Sequence, residues 1–232
     1  MSWPHPVDKL ALGTLMEEEV DLDAEFSRNF NECCFDIKIY AEKKNEKYEV
    51  FLEINPEEGS KYELIVDYAI GVGKEFRFVE KDHWKCSEVL QKIETPESKI
   101  NIIFGVSVHQ PLISENVMEK TTFRYFRILC AGETFYVNPS NLKKMGGEMF
   151  EKWFEDEVTH EDCSIVQKLA PDDLKLLLMA TCGYSTIIIH SRNVFELGDI
   201  GVELKIVPIV RAIDAFVRDL KTMHPVRKLE CA

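Results

Sequence analysis

An α+β chain, with an N-terminal antiparallel β-sandwich followed by a mixed α/β half, is predicted by two observations. Over the first hundred or so residues apolar side chains recur at every second position, in runs broken by turn residues. After Gln110-Pro111 the spacing changes to three and four, as helices require. The 232 residues, 45% hydrophobic and 10% aromatic, are enough for two ordinary domains, each with its own core.

In chain order, the first 29 residues fit an edge strand or a loose arm, with Leu10, Leu12 and Leu15 ahead of Glu17-Glu18-Glu19. From Cys34 to Ala41, Phe35, Ile37 and Ile39 alternate with Asp36 and Lys38, the pattern of a half-buried strand. Tyr48, Val50, Leu52 and Ile54 repeat it, Asn55-Pro56-Glu57-Glu58-Gly59 breaks it, and Tyr62, Leu64, Val66, Tyr68 and Ile70 resume it up to Gly71 and Gly73. Phe76 and Phe78 mark a shorter strand, and Ile100, Ile102, Phe104, Val106 and Val108 the longest alternation. Between those two, Trp84, Val89, Leu90 and Ile93 stand at helix-like spacing, which predicts a short helix or an irregular plug. Five turn-separated strands imply a sandwich.

The domain boundary is placed between residues 112 and 113, giving 1–112 and 113–232. Beyond it, Phe126, Ile128 and Cys130, a turn at Ala131-Gly132, then Phe135 and Val137 make a tight hairpin. Asn138 caps a helix with Pro139 in its first turn, and the apolar stripe runs on through Leu142, Met145, Met149, Phe150, Trp153 and Phe154. Two adjacent glycines inside one helix cost roughly 2 kcal/mol relative to alanines, so Gly146-Gly147 is read as a corner between two short helices. Pro171-Asp172-Asp173 opens a helix carrying Leu174, Leu177 and Leu178, stopped at Cys182-Gly183. Ile187 to Ile189 is read as a buried strand, and Ser191 as the cap of a helix bearing Val194, Leu197, Ile200 and Leu204. Gly198 and Gly201 inside it cost about 1 kcal/mol each, so close helix packing is expected there. Pro208 opens the last helix, with Ile209, Val210, Ile213, Phe216, Val217 and Leu220 as its buried stripe.

Composition narrows the function. With 28 Lys plus Arg against 41 Asp plus Glu, the net charge of −13 argues against nucleic acid and anionic membrane as partners. No stretch has the form of a signal peptide or a bilayer span, so an intracellular, soluble chain is expected. Seven scattered cysteines without CxxC spacing point to reduced thiols rather than disulfides or a metal site. His160-Glu161-Asp162-Cys163 superficially suggests thiol chemistry, but a nucleophile needs a base held on a rigid scaffold and these residues lie in a polar stretch. Gly71-Val72-Gly73 lacks the third glycine of a dinucleotide loop. No catalytic residue, cofactor or metal is expected.

The order of elements in the second half, with Arg124-Tyr125-Phe126-Arg127-Ile128-Leu129-Cys130-Ala131-Gly132-Glu133-Thr134-Phe135, Val137 to Leu142, Glu148 to Phe154, Asn193 to Leu197 and Val210 to Val217, resembles the BTB (POZ) domain over about 100 residues. It departs from that family at three points: no aspartate opens the hairpin near Tyr125, Asn138 stands for a histidine and Gly201 for an alanine. The first half, through Phe76-Arg77-Phe78-Val79-Glu80-Lys81-Asp82-His83-Trp84, Gly105 to Val108 and Tyr48 to Leu52, resembles the MATH (TRAF-like) sandwich, and the pair together the speckle-type POZ adaptors. The resemblance implies a non-enzymatic adaptor of a cullin-3-type ubiquitin ligase. Its sandwich would bind a short peptide of a substrate protein through Tyr48, Phe76 and Trp84, with Lys85 replacing the family's glycine and favouring acidic peptides. Trp84 alone admits two readings, an exposed anchor or a core plug. Its BTB half would form a homodimer or BTB heterodimer along Leu112, Ile113, Val117 and Met118, taken as a helical stripe, and would meet the cullin through Trp153, Phe154 and Val158. In that loop the family's apolar-x-Glu pattern is offset, with Glu161 one place late after Val158-Thr159-His160, so cullin affinity is expected to be weakened to the micromolar range. The alternative is an interaction scaffold that engages no cullin; an enzyme is a distant third.

Overall fold

In the computed structural model the chain divides into two compact units, Met1–Ser114 and Glu115–Ala232. The structure describes residues 15–32, 35–55, 62–85, 88–113, 116–146, 169–181 and 187–220. It is an α+β chain dominated by antiparallel sheet. Among the described residues no helix is long and apolar enough to cross a membrane.

The first unit holds β1 (Met16–Asp21), β2 (Ser27–Glu32), β3 (Phe35–Lys44), β4 (Lys47–Asn55), β5 (Tyr62–Val72), β6 (Glu75–Lys85), β7 (Val89–Thr95) and β8 (Lys99–Ile113). These form two four-stranded antiparallel sheets, ordered β1-β8-β5-β6 and β2-β3-β4-β7. The alternating residues meet in one core, with Ile37, Ile39, Val50 and Leu52 from one sheet and Leu64, Val66, Ile70 and Ile102 from the other. Each strand thereby buries one row of apolar side chains, the arrangement that period-two patterning selects.

Among the described residues eight strands replace the expected five. The acidic stretch near the start is β1, paired with β8 in a register that sets Met16 opposite Phe104 and Val20 opposite Ile100. Trp84 to Ile93 forms no helix: Trp84 lies near the end of β6, and Leu90 and Ile93 lie on β7. All three are buried in the sandwich core. Their helix-like spacing arises because the connection between β6 and β7 separates two strands that each point apolar residues inward.

In the second unit β9 (Phe126–Cys130) and β10 (Glu133–Val137) form the expected hairpin, and α1 (Pro139–Gly146), α2 (Pro171–Thr181), α3 (Val194–Glu203) and α4 (Val207–Asp219) follow. Ala131 and Gly132 both take positive φ, 46° and 91°, as a tight turn matched to strand twist requires. The core joins Ile128, Phe135, Val137, Leu142, Leu177, Leu197 and Ile209. Asn138 starts α1 through its side chain, whose Oδ1 accepts from the Ser140 N–H at 3.0 Å. The proposed corner beyond Gly146 and the helix to Phe154 lie outside the described residues.

Two local expectations are corrected. Ile187 to Ile189 is not a strand but an irregular link, held by the Ile188 N–H donating to the Ala180 carbonyl at 3.0 Å. Asn193 rather than Ser191 precedes α3, and its amide turns back on the link instead of capping: Oδ1 accepts from the His190 N–H at 2.8 Å, and Nδ2 donates to the Ile188 carbonyl at 3.1 Å. The glycines of α3 behave unequally. A Cβ on Gly201 would come within 3.0 Å of Ile209 Cγ2 on α4, so close packing falls there, whereas Gly198 leaves ordinary space, 3.7 Å from Ile213 Cδ1.

Candidate functional site

The face of the β1-β8-β5-β6 sheet turned away from the core is the candidate surface. On β5, Leu64, Val66, Tyr68, Ile70 and Val72 enter the core, so Glu63, Ile65, Asp67, Ala69 and Gly71 point the other way. In register, Phe76 and Phe78 of β6 stand beside Gly71 and Ala69, while Ile103 and Gly105 of β8 flank the same two residues from the other side. The middle of this face is thus floored by Ala69, Gly71 and Gly105, with Ile103, 6% exposed, beside them. Phe76 and Phe78, both half-buried, are its large apolar groups on the β6 side.

The other end of the face is polar and tightly held. Glu63 Oε2 and His83 Nε2 lie 2.5 Å apart, both largely buried. Asp67, 6% exposed, accepts from the Lys81 backbone N–H at 2.6 Å and faces His109 Nε2 at 2.8 Å. Both neighbours of β5 shift register beside Asp67: β8 between Ile65 and Val66, β6 between Val66 and Tyr68. Lys81, at the second shift, has φ 49°. These are β-bulges, and one carboxylate ties both of them to the central strand.

The aromatic residues assigned to a peptide groove are not brought together. Phe76 lies on the outward face, but Trp84 is 0% exposed and belongs to the core, its Nε1 donating to the Glu88 carbonyl at 2.6 Å. The bulge at Lys81 is the cause: it inverts the alternation, so that Phe76 and Phe78 face out while Trp84, an even number of positions later, pairs with inward Leu64. Tyr48 sits in the other sheet, 4% exposed, its ring in the core. Of the two readings of Trp84, the core plug is the one the structure takes. Lys85 is exposed and stands across from Glu63 in register, in the other strand of the pair.

Tyr48 instead anchors a rim contact. Its hydroxyl donates to Asp23 Oδ1 at 2.5 Å, and Lys43 Nζ approaches the same oxygen at 2.9 Å. The Tyr48 hydrogen bond first, then Lys43, hold the Asp23 carboxyl down at about 2, against an ordinary value of 3.8. Because the folded value is the lower one, the contact stabilises the fold above the unfolded value and is lost as pH falls from about 4 through about 2. Carboxyl titration followed by NMR is expected to show this, and Tyr48→Phe to move the Asp23 midpoint upward; an unchanged midpoint rejects the contact.

The dimer stripe is also corrected. Leu112 and Ile113 close β8 and so belong to a strand of the first unit, while Val117 and Met118 lie in a turn of the second. Val117 is 2% exposed and packs into the second core, its carbonyl accepting from the Tyr136 N–H at 2.7 Å. Of the four only Met118 is shown exposed, at 40%. Trp153, Phe154 and Val158, assigned to the cullin, and the stretch from His160 to Cys163 lie outside the described residues. Cys130 is buried, its Sγ donating to the Leu169 carbonyl at 3.3 Å, and burial pushes its thiol up, away from the thiolate a nucleophile needs. Among the described residues no group of His, Cys, Asp or Glu has the arrangement of a metal site.

Sequence reasoning missed Phe78, Glu63, Asp67 and His83. The signal for the first was present, since Phe76 and Phe78 share one parity; the polar contacts across β5, β6 and β8 depend on bulges that no spacing announces.

No family model matches the chain, and no curated protein matches it. Among solved structures it is similar to the Salmonella enterica trimeric lipoprotein SadB at 7% identity and a TM-score of 0.26, over 42% of this chain and 64% of that one. A likeness at that level carries no argument about fold or function.

Proposed function

We propose that the chain is a non-enzymatic adaptor whose sandwich captures a protein segment and whose second unit dimerises and recruits a cullin-3-type ubiquitin ligase scaffold. What supports this reading is the succession of parts: a two-sheet antiparallel sandwich, then a glycine-turn hairpin leading through a capped proline into helices, the order in which the MATH-plus-BTB resemblance runs. The capture surface is the outward face around Phe76 and Phe78 rather than a Tyr48-Phe76-Trp84 groove. Half-buried aromatic rings beside small residues offer an extended peptide a flat apolar contact, and such rings dominate binding energy at interfaces.

Titration of the purified chain against a cullin N-terminal domain tests the recruiting half. Micromolar binding weakened by Val158→Ala is expected. Absence of binding moves the function to a scaffold without a cullin, a reading that the apolar residues exposed beside and on the hairpin, Phe123 and Tyr125 among them, independently favour. Phe76→Ser is expected to lose at least about tenfold in capture of a substrate segment with the unfolding midpoint retained; capture unaffected by Phe76→Ser and Phe78→Ser together sinks the proposed surface.

A further inference from the structure

The two sheets of the first unit end in four edge strands, β1 and β6 in one, β2 and β7 in the other. Three of them carry devices that discourage a further strand. Four of the six residues of β1 are acids, Glu17, Glu18, Glu19 and Asp21. The pairings of β6 and β7 are broken by register shifts, with Lys81 of β6 at a positive φ. β2 lacks these devices: its pairs with β3 run from Ser27 to Glu32 without a shift, and it holds neither proline nor lysine. One step before that ladder the Ala41 N–H donates to the Phe26 carbonyl at 3.1 Å, which fixes the phase of the hydrogen bonds. Arg28 and Phe30 exchange theirs with Ile39 and Ile37, so Ser27, Asn29 and Asn31 turn their N–H and C=O groups to the open side. All three are exposed. Of these groups the Ser27 carbonyl is taken, by Arg28 Nη1 at 3.0 Å, while Arg28 Nη2 holds Glu18 of β1 at 2.6 Å.

We propose that this edge is the docking site for the same strand of a second copy, the two β2 strands pairing antiparallel about Phe30 and joining the copies' sheets into one. The middle of the strand, Asn29-Phe30-Asn31, reads the same in both directions, and that decides the occupant. In this register Asn29 stands opposite the second copy's Asn31 and Phe30 opposite its Phe30. The backbone phase fits, because the outward N–H and C=O groups of Asn29 and Asn31 then meet those of Asn31 and Asn29, and each gains a partner. Phe30 falls in the pair without hydrogen bonds, where side chains approach most closely. It is half-buried, packed on the sandwich core with its ring 5.5 Å from that of Phe104, and the second Phe30 covers the side that the core leaves open. Parity is kept across the joint, apolar inward and amide outward. The contact needs no charge, and Arg28 stays with Glu18. That ion pair ties β1 to β2, so pairing brings the acids of the two β1 strands toward each other, and salt, which screens them, favours association. The contact lies in the first unit, apart from the dimer of the adaptor reading, and does not rest on it.

Sedimentation of the full chain tests it. At hundreds of micromolar the wild type is expected to associate, and half-molar salt to tighten that association at least about twofold. Asn29→Lys combined with Asn31→Lys sets lysine opposite lysine across the joint. It is expected to remove one association step with the unfolding midpoint unchanged, since both positions are exposed. Asn29→Asp combined with Asn31→Asp is expected to do the same. An equimolar mixture of the two variants is expected to regain the step, because lysine then faces aspartate. Asn29→Pro, which deletes only an outward N–H, takes their place should either charged variant fold poorly, and is likewise expected to lose the step. A wild type that stays monomeric, variants that associate as the wild type does, a mixture no stronger than its components, or association that salt weakens overturns the proposal.

Discussion

Replacing Trp84 with alanine is expected to lower the stability of the first unit by about 3–5 kcal/mol, the cost of deleting a large aromatic from a packed core. The side chain is fully buried in the sandwich, and its Nε1 donates to the Glu88 carbonyl, so the substitution opens a cavity and removes a hydrogen bond at the β6–β7 connection. Chemical denaturation of the variant reads this directly as a lower midpoint. A loss below about 1 kcal/mol accompanied by lost capture of a partner peptide would return Trp84 to a binding role, against its placement in the core.

Asp67→Ala is expected to cost about 2–3 kcal/mol, although no apolar contact in the core is touched. The carboxylate is buried and serves two strands at once, through the Lys81 N–H and through His109. Its removal deprives a backbone donor beside a bulge of its acceptor, and leaves Lys81 to hold a left-handed conformation with that contact gone. Asp67→Asn keeps an acceptor at the same place and is expected to lose about half as much. Denaturation midpoints for the two variants within error of wild type would show that the bulges hold themselves.

The strands that could be seen in the sequence are those whose inward positions are uniformly apolar. Ile37 and Ile39, or Leu64, Val66 and Ile70, declare their strand because each faces a dry core. β1 stays hidden because Glu18 occupies a core-side position between Met16 and Val20, where Arg28 Nη2 meets its Oε1 at 2.6 Å. The ion pair permits an acid where the alternation calls for an apolar residue. The outward face around Phe76 and Phe78 was half legible for a related reason. Phe76 and Trp84 share a parity, and parity assigns a face only while pairing is regular; the bulge at Lys81 breaks it. In the second unit the hairpin, the Asn138 cap and the stripes of the described helices depend on neighbours within a few positions and are readable. The link from Ile187 to His190 depends on Asn193 reaching back to it, which periodicity does not encode.

The pairing of β1 with β8 sets how the first unit is made. Val20 faces Ile100 and Met16 faces Phe104, so the sheet closes by joining segments some eighty residues apart, and most of the sandwich must already exist as chain before that contact can form. Closing so long a loop carries its entropic cost before any of the contacts return it, which makes such topologies slow folders. The β9–β10 hairpin, five residues on each side of a two-residue turn, closes on the microsecond scale once its last residue is free. On a ribosome releasing the chain from its N-terminus, the first unit therefore waits for β8 with the hydrogen-bonding edge of β5 that β8 will cover still open. That open edge is the chain's point of exposure to aggregation during synthesis, and it is closed by the same strand that carries the chain to its second unit.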